Sequence, residues 1–459
     1  MNRPDIDWQA VLGPLFGTDI IPSHEIQELE NATRTHVRRA LRMRSNDAPH
    51  HLPFATEAVP WYEPGRFLVD STVRPGAFLQ YASGGYYIQD AGSMLALALC
   101  DARPGQLICD VCAAPGGKST GLLDRLGGAG LVLANEVIHS RVGILELALA
   151  RSGFDNYLIH SLETESLARV CGDVFDCVLV DAPCTGQSMI GKGKQSLSAF
   201  SARQIEHSAA RQQRIVRNAA ALVRLGGRLV YSTCTFAHAE NEGILQWLCE
   251  LSNDWQPIIE PKLNHWASYL PGTYRLWPHR DQCAGAFAAA YRRIGNHDVL
   301  LDDQAVAGRR HVPFDARKKA NWVEADFPAA DYWSERVAGQ WFRRGDQIHR
   351  FQQATPHDWI ELAVAGVEVA KIQSRDTVPS FPSAVAGANF LSGVHFCELD
   401  DHDASRFMAG ESLMSGELAD GWTVACWRSH PLAWTKFVCG TLKNHLPKPL
   451  RQPGLRASM

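Results

Sequence analysis

Three short segments of the chain carry residue types suited to chemistry, and each follows an apolar run. Cys112-Ala113-Ala114-Pro115-Gly116-Gly117-Lys118 comes after LICDV. Asp181-Ala182-Pro183-Cys184-Thr185-Gly186 comes after CVLV, and Tyr231-Ser232-Thr233-Cys234-Thr235 comes after RLV. The first reads as a Gly-rich turn opening a helix. Its glycines let a ligand approach the backbone, and the helix start offers free N–H groups to anionic or polar atoms. It nearly matches the phosphate loop GxxxxGK[ST], but Cys112 stands where the first glycine belongs. The other two segments each place a thiol at a strand end. Thiolate is the reactive form of cysteine, and a thiol near an acid fits covalent catalysis. A single cysteine is ordinarily inert packing. Two in matched strand-end turns beside a nucleoside-type pocket fit that role less well.

The strand GLVLANEV ends in Asn135-Glu136. An acid at the end of the second strand of a parallel sheet commonly binds ribose hydroxyls. That favours a nucleoside-containing cofactor over a bare triphosphate. Asp181 can also pose as the magnesium ligand of an NTPase, so a P-loop NTPase stays open on these segments alone.

The elements that must position these residues follow from periodicity. From Gln106 onward, buried strands (LICDV, GLVLANEV, NYLIHSL, FDCVLVD, GRLVYST) alternate with helices, notably SRVGILELALARSG and the long amphipathic FSARQIEHSAARQQRIVRNAAALVRLGG. This predicts an α/β fold with a mostly parallel sheet and helices on both faces. Before it lies a mixed α+β region, with a helix expected near Ile26–Arg44. After it come a polar connector and short strand candidates, including WIELAVAGVEVAKI and GWTVACWRSH. The length of 459 residues suggests about three domains. The expected boundaries are an N-terminal α+β region 1–95, an α/β domain 96–295 that carries the three segments, a linker 296–351 and a β-rich domain 352–459.

The composition excludes wholesale disorder, since 46% of residues are hydrophobic and 20% charged. No apolar run is long enough for a membrane span, and MNRPDIDWQA lacks the pattern of an export signal. The twelve cysteines are therefore expected as reduced, cytoplasmic thiols. Cys109 and Cys112 have CxxC spacing, but no second half-site follows, so no metal is expected. The formal charge of -4 argues against a uniformly basic coat. Basic residues nevertheless gather in runs: Arg34, Arg38, Arg39, Arg42 and Arg44; eight between Ala182 and Ala239 with only Glu206 opposing; Arg309, Arg310, Arg317, Lys318 and Lys319; and six from Gly421 onward with no acid. A charge run is usually a solvated face. Interleaved Trp427, Trp434 and Phe437 also suit base stacking, although most such aromatics are expected in the core.

Together CDVCAAPGGKST, ANEV, VDAPCTG and VYSTCTFAHAEN resemble the Nol/Nop/Sun family of RNA cytosine-5 methyltransferases. VPWYEPG, GGYYIQDAGSML and RLWPHRDQCAGAFAAAYRR fit the same family, from about Val59 to Arg293. The tail PLAWTKFVCGTLKNHLPKPLR is similar to the PUA-like tail of bacterial rRNA members, with Ala433-Trp434-Thr435-Lys436 where that tail reads GWGK. The resemblance implies a Rossmann-like core that uses S-adenosylmethionine. Cys112, Ala113, Ala114, Pro115, Gly116, Gly117 and Lys118 would surround the cofactor, with Glu136 on its ribose. Glu163 stands where the family has an Asp at the adenine amino group. Asp181 would lie between cofactor and target base. Cys234 corresponds to the nucleophile, and Cys184 to the cysteine that assists release of the product. The implied protein is a cytoplasmic monomer acting on RNA, with 16S rRNA or the small ribosomal subunit as expected partner and no membrane. A tRNA methyltransferase and a non-catalytic ribosome-assembly factor are the alternatives.

Overall fold

The apolar runs assemble into one nine-stranded sheet. The computed structural model describes residues 6–35, 37–44, 52–295, 321–325, 338–373, 376–386, 394–415 and 420–458. Across the sheet the strands run Trp255–Pro257, Ala286–Arg293, Val223–Thr233, Phe175–Asp181, Leu107–Asp110, Leu131–Asn135, Tyr157–His160 and Ala363–Ala365, with Thr273–Leu276 paired to Ala286–Arg293. The five strands from Val223–Thr233 to Tyr157–His160 are parallel, and the others join antiparallel. Successive side chains alternate between two cores. Ile108, Val132, Ile159 and Leu179 enter one with Leu122, Leu145 and Leu149 of the helices; Cys109, Leu133, Leu158 and Val178 enter the other with Leu167, Val216 and Leu245. Helices therefore cover both faces, as the period-2 strands require.

Leu107–Asp110 is flanked by Leu131–Asn135 on one side and Phe175–Asp181 on the other. Strand order reverses there, which opens a crevice at the carboxyl ends of the strands. Cys112–Lys118, Glu136, Asp181 and Cys234 all lie just beyond those ends.

Several expectations change. The helix foreseen near Ile26–Arg44 covers only Ile26–Thr33; Ala40–Met43 is a buried strand of a four-stranded sheet with Thr56–Ala58, Gly65–Leu68 and Tyr86–Ile88. Arg42 is fully buried there. Its guanidinium pairs with Asp124, donates to Gln89 Oε1 at 3.1 Å and Thr120 Oγ1 at 2.8 Å, and so welds the N-terminal region to the helix Gly117–Leu126. It belongs to no solvent-facing basic track. Trp359–Leu362, expected to open a strand, instead lies in the helix His357–Leu362, which brings Trp359 and Ile360 into the core; the strand begins at Ala363.

The expected linker is also shorter than 296–351. Gln340–Arg344 and Gln347–Phe351 are strands of a five-stranded sheet with Val323–Glu324, Val367–Gln373 and Asp376–Pro379. Arg309, Arg310, Arg317, Lys318 and Lys319 lie outside the described residues. A second five-stranded sheet holds His395–Glu398, Gly421–Trp427, His430–Val438, Thr441–Asn444 and Leu413–Met414. Trp427, Trp434 and Phe437 are buried in it and cannot stack on bases. The C-terminal segment returns to the N-terminal region: the Leu79 N–H donates to the Arg456 carbonyl at 2.8 Å, and the Arg456 N–H to the Ala77 carbonyl at 2.9 Å. No described helix is long and apolar enough to cross a membrane.

Candidate active site

The two strand-end thiols meet. Cys184 Sγ and Cys234 Sγ are 3.4 Å apart, each half-buried. They sit beside a cavity of about 240 Å³ whose walls include Cys234, Asp181, Ser232 and Lys118, with Asp90 and Lys192 also on it. Asp181 and Lys118 form an ion pair at 2.6 Å, and the Ser232 hydroxyl donates to Asp181 Oδ1 at 2.8 Å. Burial works against the Lys118 ammonium, but Asp181 outweighs it and holds the lysine pKa above its usual value. Lys118 is therefore a fixed positive charge beside the thiols. Its pairing with Asp181 was not foreseen, because the two residues are far apart in the chain.

The thiols are electrostatically unequal. A hydrogen bond from Cys184 lowers the Cys234 pKa, and Lys118 acts the same way, while burial and Asp181 oppose. The Cys184 pKa goes well up, first through its bond to Cys234, then through burial and the neighbouring charge. The arrangement favours a Cys234 thiolate accepting from a Cys184 S–H over the reverse. Alkylation of Cys234 by iodoacetamide should accordingly rise with pH through a midpoint below that of an ordinary thiol. Cys184→Ala should move that midpoint upward, because the thiolate loses its donor. A midpoint that ignores the substitution would show that Cys184 does not stabilise the Cys234 thiolate.

Glu240 holds the two turns in register. It is fully buried, and its carboxylate accepts from the Thr185 N–H at 2.9 Å, the Thr185 hydroxyl at 2.5 Å and Gln212 Nε2 at 2.9 Å. Thr185 Oγ1 lies 2.9 Å from Thr235 Oγ1, so one carboxylate ties the residue after Cys184 to the residue after Cys234. Asn241 adds a second brace, accepting from the Thr233 hydroxyl at 2.6 Å and donating to the Thr235 carbonyl at 3.0 Å. Sequence reasoning quoted FAHAEN but gave these two residues no role; an acid-amide pair just past a reactive turn was the available signal. Burial raises the Glu240 pKa, against hydrogen bonds from Thr185, Gln212 and Thr235. Glu240→Gln sets an amide N–H₂ against donors. We expect a stability loss of roughly 1–3 kcal/mol and a fall in kcat of about 10²-fold from displaced thiols, with cofactor affinity retained. Thermal melts and single-turnover kinetics measure the two effects.

The cofactor side is built on adjacent strand ends. Gly116 has φ +104°, and a Cβ there would meet Ala148 Cβ at 2.8 Å, so only glycine makes this turn. Glu136 is buried; its Oε2 accepts from the Ala114 N–H at 3.3 Å and Arg141 Nη1 at 3.1 Å, and its Oε1 from the Ile138 N–H at 2.9 Å. A carboxylate offers about four acceptor positions, so Oε1 keeps capacity for a hydroxyl. Arg141, also unforeseen, ties Glu136 to the Cys112–Lys118 loop through the Ala114 carbonyl. Asn135 laces the ends together, donating to the carbonyls of Val111 and Leu162 and accepting from the Leu162 N–H. Burial pushes the Asp110 carboxyl up to about 7, against a hydrogen bond from Ser119. Its Oδ1 is buried without a protein partner. Glu163 is exposed, at the N-cap of the helix Thr164–Cys171.

Comparison with known proteins agrees with this geometry. Residues 96–292 match the family model described as 16S rRNA methyltransferase RsmB/F, and residues 394–452 match the methyltransferase RsmF PUA domain. The chain belongs to the RsmB/F methyltransferase family. Among curated relatives, ribosomal RNA small subunit methyltransferase F of Aeromonas salmonicida is 28% identical over 94% of this chain and 94% of its own length. Its Escherichia coli O1:K1 counterpart is 28% identical over 86% and 85%. A solved methyltransferase homologue from Pyrococcus horikoshii superposes with a TM-score of 0.53 at 25% identity, over 59% of this chain and 91% of that one. The expected Rossmann-like methyltransferase core with a PUA-like C-terminal domain is thus the fold of this RsmB/F member. A P-loop NTPase is not.

Proposed function

We propose that this RsmB/F member methylates C5 of a cytosine in 16S rRNA, using S-adenosylmethionine, through a covalent bond between Cys234 and C6 of the base. The observation that carries the reading is the pair of thiols 3.4 Å apart beside the Asp181–Lys118 ion pair. The relatives' names, which specify the small ribosomal subunit RNA, support 16S rRNA over tRNA.

The donor set suits the cofactor. Buried Glu136 retains an acceptor for ribose hydroxyls, and the orphaned Asp110 oxygen asks for a donor such as an ammonium. Cys112 to Lys118 would wrap the methionine and ribose parts, and Glu163, at the rim, would face the adenine. The cofactor supplies a methyl group on positively charged sulfur.

The chain's own residues do the rest. Cytosine C5 is a weak nucleophile. Addition of the Cys234 thiolate to C6 turns C4–C5 into an enamine; Asp181 accepts from the amino group at the base edge, and the Lys118 ammonium paired with it offsets the negative charge that develops. Once C5 carries the methyl group, Cys184, having first lost its own proton to solvent, accepts the C5 proton as a thiolate, and Cys234 leaves C6 as a thiolate, restoring the ring. Taking the base out of its stack costs roughly a few kcal/mol, least in single-stranded RNA. Bisulfite mapping of 16S rRNA from cells lacking the gene should reveal at least one lost 5-methylcytosine, restored by the purified protein and cofactor. An unchanged 16S map with a lost site in tRNA would overturn the substrate assignment.

A further inference from the structure

A second cavity, about 250 Å³, lies between the N-terminal sheet and the helices Gly117–Leu126 and His139–Arg151. The chemistry above touches it only at Pro115 of the Cys112–Lys118 loop. Its walls offer two half-buried guanidiniums, Arg44 and Arg151, against one carboxylate, Asp124, and two half-buried tyrosines, Tyr81 and Tyr87; Arg42 and Tyr86 border it but are buried. The Arg151 guanidinium lies 4.7 Å above the Tyr81 ring. At the wall, Ile88 and Ile144 are 40% and 60% exposed. Aromatic faces with guanidiniums in an open, positively charged recess suit one unpaired nucleotide, its base on the rings and its phosphate on the cations.

The position of the recess connects it to the active site. Tyr86–Ile88 lines this cavity, and Asp90, Gly92 and Ser93 line the cavity beside Cys234. Ile88 and Asp90 are two residues apart, about 7 Å of extended chain. The helix Gly117–Leu126 likewise turns Thr120 and Asp124 to one cavity and Lys118 to the other. On its far side the recess borders the C-terminal module, because Tyr81 follows directly on Leu79 and Gln80, which bond to Arg456 and Ala457.

We infer that this recess is a second RNA subsite, which holds an unpaired nucleotide adjoining the target cytosine while the latter is in the active site. The inference rests on the RNA-methylating reading above. Methyl-transfer kinetics with radiolabelled cofactor on 16S rRNA, for wild type, Ile144→Glu and Arg151→Glu, test it. Ile144 is exposed, so its variant keeps the fold. Each variant should raise the RNA KM about tenfold or more, with kcat within about twofold and cofactor affinity unchanged. Wild-type KM in both variants overturns the subsite while leaving the activity standing. A wild-type protein that transfers no methyl group to any RNA overturns the functional reading, and the subsite with it.

Discussion

Cys234→Ala is expected to lower methyl transfer by about 10⁴-fold or more, since it removes the covalent route and leaves only positioning and electrostatics. The fold should survive. The thiol is half-buried at a cavity wall, and the turn is braced by Asn241 and Glu240 rather than by the sulfur. Cofactor affinity should survive too, because Glu136 and the Cys112–Lys118 loop lie on other strand ends. Single-turnover transfer to 16S rRNA and calorimetric binding of S-adenosylmethionine separate the two. Turnover within tenfold of wild type would remove Cys234 from the role of nucleophile.

Cys184→Ala should have the opposite signature: the first half of the reaction proceeds and the second stalls. Before reaction, Cys184 is held protonated by its bond to the Cys234 thiolate and by burial. Once Cys234 is joined to C6 it carries no charge, and the main influence holding that proton disappears. Cys184 thus becomes more acidic at the step where an ionised thiol is needed 3.4 Å from the attached sulfur. Without it, release should slow by about 10²-fold or more, as for loss of a general base. A protein–RNA complex that resists denaturant should accumulate on gels, and Cys184→Ala combined with Cys234→Ala should form none. A Cys184→Ala protein that releases methylated RNA at the wild-type rate would assign proton removal elsewhere.

Local signals made much of this legible. Strand-end motifs are contiguous, so Cys112–Lys118, Glu136, Asp181, Cys184 and Cys234 are visible as strings, and the alternating strands place them on one sheet edge. What escaped depends on distant partners. Glu240 reads as an ordinary surface acid until Thr185, 55 residues away, is known to donate to it. Arg42 reads as part of a basic run because Asp124 is 82 residues off. His357–Leu362 shares its apolar run with the following strand, and only packing of Trp359 against Phe175 separates helix from strand. The apolar tail aromatics were ambiguous for the same reason, since composition alone does not distinguish a stacking platform from a small core.

Two attachments fix the C-terminal half to the rest of the molecule, one to the catalytic core and one to the N-terminal region. Ala363–Ala365 extends the central sheet at Tyr157–His160, and Arg456 is bonded back to Ala77 and Leu79. A module held by one flexible tether samples many orientations and adds local concentration. A module held at two separated points has little freedom to swing. In the proposed reaction it would act as a caliper with fixed jaws, favouring RNA whose contact surface and unpaired cytosine stand at the set spacing. For a chain of net charge -4, selection is then expected to come from the shape of the folded RNA more than from attraction to phosphate.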